Sequence, residues 1–401
     1  MINWKMETEK RLNILKITLL AILSILLVNP IAIYNLSNNI GLSLLISLVN
    51  LTLILVIFVK LKSSKYLFIP LNLSFILSIC IYTELIFRIN FAYLNIPNLY
   101  DQRGNYYFNK PNLNQILEDK EYTTIYKTDD KGFRINYVSK PIKSNRWLFI
   151  GDSYTQGAQV NYDEMFTSKL NLNFPEVEVI NAGISGFGLT EEVNYLKQEG
   201  IQLGPQKSFL VLCVLNDFNN LETRKYDFID YLMDKSAFAR YFLFNYVYKS
   251  NDELLLGRWV DPFFEYEQDN IDFNVLYTKS SELKRNNLKK VENKIAEFIT
   301  ICKSNNCQPY VVLIPTKEQV YKKYYDQVIQ SYKIAEQNID INNSSKFIKN
   351  VTQKYNADFI DLLPEFKKDT NQLYFPIDEH INKNGHQKVA EMITTYIKTK
   401  K

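Results

Sequence analysis

Histidine is almost missing from this chain. Only two occur in 401 residues, His380 and His386, both near the C-terminus. Any chemistry that needs an imidazole base therefore has two candidates and no more. Cysteine is also scarce, and its four positions form no metal-ligand spacing. Cys80 lies in an apolar run, and Cys213 reads as a small hydrophobe of a buried strand. Cys302 and Cys307 flank Lys303-Ser304-Asn305-Asn306 and leave a short-loop disulfide open. The net charge is only +4, and no basic stripe is interleaved with aromatics. Nucleic acid is not an expected partner.

Charge is also absent regionally. No charged residue occurs from Ile17 to Val59, a run interrupted by the polar patch Asn35-Leu36-Ser37-Asn38-Asn39. A further uncharged run covers Tyr66 to Thr83, and the apolar stretch continues past Glu84 and Arg88 to about Phe91. A membrane span needs roughly 20 predominantly apolar residues, so three transmembrane helices are expected within residues 1–95. A cleaved signal peptide followed by buried helices is the alternative. It is disfavoured because no small-residue cleavage pattern follows the first run. Lys5, Lys10, Arg11 and Lys16 precede the first span, and Lys60, Lys62 and Lys65 separate the second from the third. Basic residues stay on the cytoplasmic side. The N-terminus is therefore expected in the cytoplasm, with everything after about residue 92 outside it. Glu84 and Arg88, one helical turn apart, are placed to pair near the exit of the third span.

Residues 96–145 read as a connector, with Asp129-Asp130-Lys131-Gly132-Phe133-Arg134 as a turn leading into an extended piece. From Arg146 onward short apolar runs alternate with helical periodicity. Strands are expected at Trp147–Ile150, Val177–Ile180, Phe209–Leu215, Tyr310–Ile314 and Phe359–Leu362. Helices are expected from Thr190 to near Gly200, from Ser281 to Lys303, and from Asn384 to Ile397. The middle one lines up Leu288, Val291, Ile295, Phe298 and Cys302 on one face. This alternation implies an α/β fold, a parallel sheet with helices on both sides, whose crevice lies beyond the carboxyl ends of the strands. An aromatic-rich insertion at 218–277 breaks the pattern. It reads as a satellite hydrophobic cluster, a lid, or a surface that rests on lipid.

Chemistry-bearing segments fall where that crevice should be. Trp147-Leu148-Phe149-Ile150-Gly151-Asp152-Ser153 runs a buried strand into a serine on a tight turn, the way a hydroxyl is presented as a nucleophile. Asn181-Ala182-Gly183-Ile184-Ser185-Gly186 follows the second strand, Asn216-Asp217 the third, and Asp378-Glu379-His380 precedes the last helix. Acyl transfer needs a nucleophile, a base and donors for the oxyanion. Ser153 fits the first role and His380 the second. The backbone N–H groups of Ser153 and Gly186 and the side-chain amide of Asn216 fit the third. Glycine at 186 lets backbone approach substrate with no Cβ in the way, and Asn216 donates without carrying charge. Asp152 reads as a turn cap, Asp217 as a brace for its loop, Glu379 as solvent-facing and His386 as a packing or surface residue rather than the base. Lys317 lies at the same sheet edge, with solvation its plain reading and substrate contact the alternative.

Taken in order, these segments resemble the SGNH (GDSL-type) hydrolase superfamily over roughly residues 146–401. The resemblance implies a flavodoxin-like three-layer α/β/α sheet working without cofactor or metal. It implies that Ser153 is the nucleophile and His380 the base, with Asp378 orienting it. Ser153, Gly186 and Asn216 would form the oxyanion hole. Two departures stand out. Val214 replaces the glycine of the Gly-x-Asn-Asp block, and Asp378 precedes His380 by two residues rather than three. In an extended segment residues i and i+2 face the same way, which keeps Asp378 on the imidazole's side. The spans and the Gly132-Phe133-Arg134 stretch look like membrane-linked members, some similar to proteins that add or remove acetyl groups on exported polysaccharides. The expectation is a membrane-anchored serine esterase or O-acyl, chiefly O-acetyl, transferase acting on acylated carbohydrate. Lipid esterase and a catalytically degenerate glycan-binding protein are the alternatives.

Overall fold

A computed structural model of the chain describes residues 99–103, 106–135, 143–214, 217–218, 282–332 and 335–400, with short pieces and single positions elsewhere, chiefly 79–87 and 236–242. The chain divides into two compact units. One holds Met1–Pro97 with Tyr226–Asn251, the other Asn98–Lys225 with Asp252–Lys401.

In the larger unit the segment expected as a connector forms two antiparallel hairpins. β1 (Tyr100–Arg103) pairs with β2 (Tyr106–Asn109), and β3 (Asn114–Glu118) with β4 (Thr123–Lys127). Both hairpins send aromatics inward: Tyr106, Phe108 and Tyr126 are fully buried. The ring of Phe108 stacks on Tyr195 at 5.1 Å. The hairpins are thus part of the core.

The main sheet comprises β5 (Arg146–Gly151), β6 (Glu178–Gly183), β7 (Lys207–Cys213), β8 (Gln308–Ile314) and β9 (Asp358–Asp361). Their order is β6-β5-β7-β8-β9, and every neighbouring pair is parallel. The strands form because their side chains are apolar on both faces. Leu148, Phe149 and Ile150 in β5 and Phe209, Leu210 and Leu212 in β7 are wholly shielded from solvent. Register places Phe149 beside Phe209 and Phe209 beside Tyr310. Their rings stack at 4.2 and 4.6 Å, and each such pair contributes roughly 0.5–1.5 kcal/mol beyond area burial.

Connecting segments supply the helices α1 (Ser153–Gln156), α2 (Phe166–Asn173), α3 (Leu189–Gln198), α4 (Glu282–Ser304), α5 (Lys317–Val320), α6 (Lys322–Tyr332), α7 (Asn343–Lys354), α8 (Leu363–Lys368) and α9 (Lys383–Thr399). The chain steps from β5 one way to β6, then back past β5 to β7 and onward. Right-handed crossovers therefore put α2 on the opposite face from α3, α4 and α7. Packing agrees, because α2 contacts α9 while α4 contacts both α3 and α7. The sheet is the expected α/β/α arrangement, with its switch point at the end of β5.

The expected strands are present with shifted ends. β6 extends to Gly183 because its pairing with β5 continues to Gly151. β7 stops at Cys213, where Val214 enters a turn. Cys302 and Cys307 are buried free thiols in this structure, which holds no short-loop disulfide between them.

In the smaller unit residues 79–87 are helical, as is Ala237–Phe242. The Glu84 carboxylate accepts hydrogen bonds from Ser236 Oγ at 2.6 Å and from the N–H groups of Ala237 and Phe238 at 2.7 and 3.2 Å. It therefore caps that short helix. Phe87 meets Phe238 and Tyr241 edge-on. Part of the aromatic insertion is thus tied to the third apolar run. No helix among the described residues is long and apolar enough to cross a membrane. The first two expected spans lie almost wholly outside the described residues, as do the third apart from 79–87, Arg88, and residues 243–274.

Candidate active site

The site is built at the carboxyl end of β5, where the strand order reverses and a crevice opens in sheets of this kind. β5 ends at Gly151, and α1 starts at once with Ser153. Asp152 is the cap: its carboxylate accepts from the Tyr154 N–H at 2.9 Å. This short helix lies flush on the strand ends. A Cβ on Gly183 would fall 2.3 Å from the Gln156 nitrogen, so only glycine fits there. Asn181 completes the seat by donating its amide to the Thr155 carbonyl at 2.6 Å.

His380 comes from the loop before α9. Its Nε2 lies 2.7 Å from Ser153 Oγ, and its Nδ1 lies 2.5 Å from Asp378 Oδ1. The same carboxylate oxygen also accepts the His380 backbone N–H at 2.7 Å. Asp378 therefore reaches the ring through a tight turn rather than along an extended segment, and residues 376–380 are a run of bends. The turn works because a short carboxylate can bond the backbone two residues on. Ser153 is 6% exposed and His380 8%, so the pair sits nearly out of water, where its electrostatics are strengthened.

Glu379 corrects its expected place in solvent. Its carboxylate lies 3.7 Å from His380 Nδ1 and its side chain is only 17% exposed. Burial pushes its pKa up to about 7, against the pull of the imidazole charge. For His380, burial favours the neutral ring. The charges of Glu379 and Asp378, with the Asp378 hydrogen bond, outweigh it and carry the pKa up to about 9. Asp378 is held below the usual carboxylate range: burial works against this, and the attraction and hydrogen bond of His380 prevail. Gln159 Nε2 lies 3.1 Å from His380 Nδ1, and Tyr154 donates its hydroxyl to the Glu379 carbonyl at 2.9 Å.

Asp378, Glu379 and His380 are a group of three possible metal ligands among the described residues. Both imidazole nitrogens are already engaged, by Asp378 and Ser153. The imidazole has no lone pair left over for an ion.

The remaining sequence candidates divide. Gly186 lies three residues past the end of β6 with φ +78°, a conformation that favours glycine. The Tyr107 hydroxyl, which donates to the Ser185 carbonyl, occupies the space beside it. Asn216 lies outside the described residues. Asp217 is buried and accepts the Cys213 N–H at 2.6 Å, bracing its loop. Burial raises the pKa values of Asp217 and Glu192 far above the carboxylate range. His386 accepts the Phe166 N–H at Nδ1, stacks on that ring, and is pushed down to about 3 chiefly by burial and then by Arg134. It is a packing residue.

Lys317 is 1% exposed, which removes its reading as a solvated side chain. Arg134 is also buried, and sequence reasoning missed its role. Its guanidinium donates to the carbonyls of Gly157 at 2.7 Å and Val160 at 3.2 Å and lies over the Tyr126 ring at 4.3 Å. It thus holds the chain leaving α1. The only cue in the sequence was the Gly132-Phe133-Arg134 stretch itself.

No protein-family model matches the sequence, and no curated protein matches it. Among solved structures the chain is similar to an acetyl xylan esterase, at 14% identity over 63% of this chain and 99% of that one, with a TM-score of 0.37. It is likewise similar to a lipase/acylhydrolase from Enterococcus faecalis, at 12% identity over 64% of this chain and 96% of that one, with a TM-score of 0.38. A GDSL-like lipase from Bacteroides thetaiotaomicron is similar at 12% identity, over 66% of this chain and 93% of that one, with a TM-score of 0.36.

Proposed function

We propose that this chain is a serine ester hydrolase or O-acyltransferase that forms an acyl-enzyme on Ser153. The observation that carries the reading is the continuous run Ser153 Oγ–His380 Nε2 and His380 Nδ1–Asp378 Oδ1, at 2.7 and 2.5 Å. In its neutral form His380 takes the Ser153 proton as Oγ attacks the ester carbonyl, and Asp378 stabilises the imidazolium that results. The tetrahedral oxyanion is taken by the N–H groups of Ser153 and Gly186 and the amide of Asn216. Collapse expels the alcohol, protonated by His380. Water, or a sugar hydroxyl in the transferase case, then gives His380 its proton and attacks the acyl-enzyme; the acyl–Oγ bond breaks, His380 returns the proton to Ser153 Oγ, and the carboxylic acid or the acylated sugar departs.

The substrate class we infer is acylated, chiefly O-acetylated, carbohydrate. The chain is anchored by three spans in the cell membrane, with the catalytic unit outside the cytoplasm. The uncharged runs before residue 92 and the lysine and arginine placement support the anchor and its orientation. The substrate class rests on the resemblance of the four sequence blocks and the Gly132-Phe133-Arg134 stretch. A lipid esterase is the second reading, favoured by the exposed Phe238 and Phe242 on a helix capped from the third apolar run.

The test is labelling with a serine-reactive phosphonate, alongside acetate release from an acetylated oligosaccharide. Wild type is expected to label and to release acetate, and Ser153→Ala to do neither. Equal labelling of both, or of neither, overturns the reading.

A further inference from the structure

The loop that carries the acid–base pair is held from its two sides by opposite charges. It is closed at its base by the Tyr374–Ile381 bridge and by the Phe375 N–H donating to the His380 carbonyl at 3.1 Å. Between those points the backbone follows no strand or helix, so its polar groups need other partners. The Glu121 carboxylate, in the turn between β3 and β4, accepts the N–H of Ile377 at 2.9 and 3.0 Å and that of Asp378 at 2.6 Å. The Lys317 ammonium, at the start of α5, faces the carbonyls. It donates to Asp378 O at 3.0 Å, with the carbonyls of Phe375, Pro376 and Ile377 at 3.4, 3.5 and 3.4 Å. The Tyr324 ring lies 4.7 Å from the ammonium. A lysine this deeply buried is retained only where its donors are satisfied, and here the loop's own carbonyls supply much of that.

We propose that Lys317 and Glu121 are positioning residues that clamp the Phe375–His380 loop between a cation on its carbonyls and an anion on its N–H groups, and so keep the Asp378–His380 pair in register with Ser153. This deepens the serine-esterase reading and rests on it. Neither residue touches the reacting atoms. Both act through the loop, which explains how an Asp-x-His spacing is held in a working turn. The Lys317 charge also favours the ionised form of Asp378. A displacement of about 1 Å at such a pair is enough to cost on the order of 10²-fold in rate.

The test compares Lys317→Met, Glu121→Ala and the double variant in the full-length protein. Steady-state kinetics on an acetate ester are read together with the downfield imidazole Nδ1–H resonance in proton NMR. That resonance belongs to His380 alone, because His386 accepts at Nδ1. Lys317→Met is expected to lower kcat about 10-fold or more, with KM within about twofold, and to broaden or abolish the resonance. Glu121→Ala is expected to lower kcat about threefold or more at unchanged melting temperature. The double variant is expected to lose less than the product of the two, because residues acting through one loop couple. If either variant keeps both kcat and the resonance, the clamp is overturned. Should Lys317→Met fail to fold, the half-buried Glu121 decides alone, with unchanged kcat as the overturning result. Loss of the resonance needs no substrate. The clamp is therefore judged apart from the serine reading, which stands or falls with labelling of Ser153.

Discussion

Ser153 and His380 stand 227 positions apart in the chain and 2.7 Å apart in space, Oγ to Nε2. The first is fixed by the end of β5 and the second by a loop leading into α9. Their meeting depends on the sheet order, which brings the last helix back beside α2.

The pH profile follows from His380. With a pKa of about 9 the ring is imidazolium at neutral pH, and only its neutral form removes the Ser153 proton. kcat/KM is expected to rise with pH and to level off above about 9. Stability runs the other way. A folded-state pKa above the unfolded value of about 6.5 contributes stability that is complete below that value and lost as pH rises through the folded pKa. Kinetics and urea unfolding across the alkaline range check both directions. A flat rate profile between neutral and alkaline pH would contradict the assignment.

Glu379→Gln removes the largest charge holding the His380 proton. The ascending limb of the rate profile is expected to move to lower pH, with more activity at neutrality. The Glu379 pKa, raised to about 7, also means that folding is weakened as pH rises from the unfolded value toward 7 and the carboxyl ionises. At alkaline pH the glutamine variant is therefore expected to melt no lower than wild type. An unmoved limb would show that this carboxylate does not act on the ring.

His386, depressed to about 3, adds stability that is present above the unfolded pKa and lost as pH falls toward the folded one. His386→Gln is expected to cost roughly 1–3 kcal/mol at neutral pH through lost packing. The same variant should lose less than wild type on acidification to mildly acid pH. Urea unfolding at two pH values measures this, and a parallel loss in both proteins would count against it.

Arg134→Met strips the cation from a cluster of carbonyls that closes off α1. Leaving such buried acceptors unpaired costs about 1–3 kcal/mol. The expected result is a lower unfolding midpoint together with slower phosphonate labelling, since the turn bearing Ser153 loosens. Unchanged labelling in a folded Arg134→Met protein would confine this residue to stability.

Much of the sheet was legible because its strands are continuous apolar runs with turn residues between them. The heart of the site was legible because an isolated serine after such a run and a chain with two histidines leave few combinations. The hairpins at 100–127 were not, because half their residues face outward and Tyr106, Phe108 and Tyr126 carry no periodicity long enough to read. Lys317 and Glu121 were hidden for a related reason. A charged residue whose partners are backbone atoms of a distant loop leaves no pattern in its own neighbourhood. Glu379 turns inward because side chains alternate only along an extended strand, and residues 376–380 bend at every position.

The hairpins ahead of β5 decide where the catalytic unit begins. A fragment started at Arg146 would omit Glu121, Arg134 and the buried rings of Tyr106, Phe108 and Tyr126. It would expose the surface those groups cover and release both turns that they hold. Recombinant material freed of the apolar N-terminal region should therefore start upstream of Leu99, and an inactive or insoluble shorter version would say nothing against Ser153.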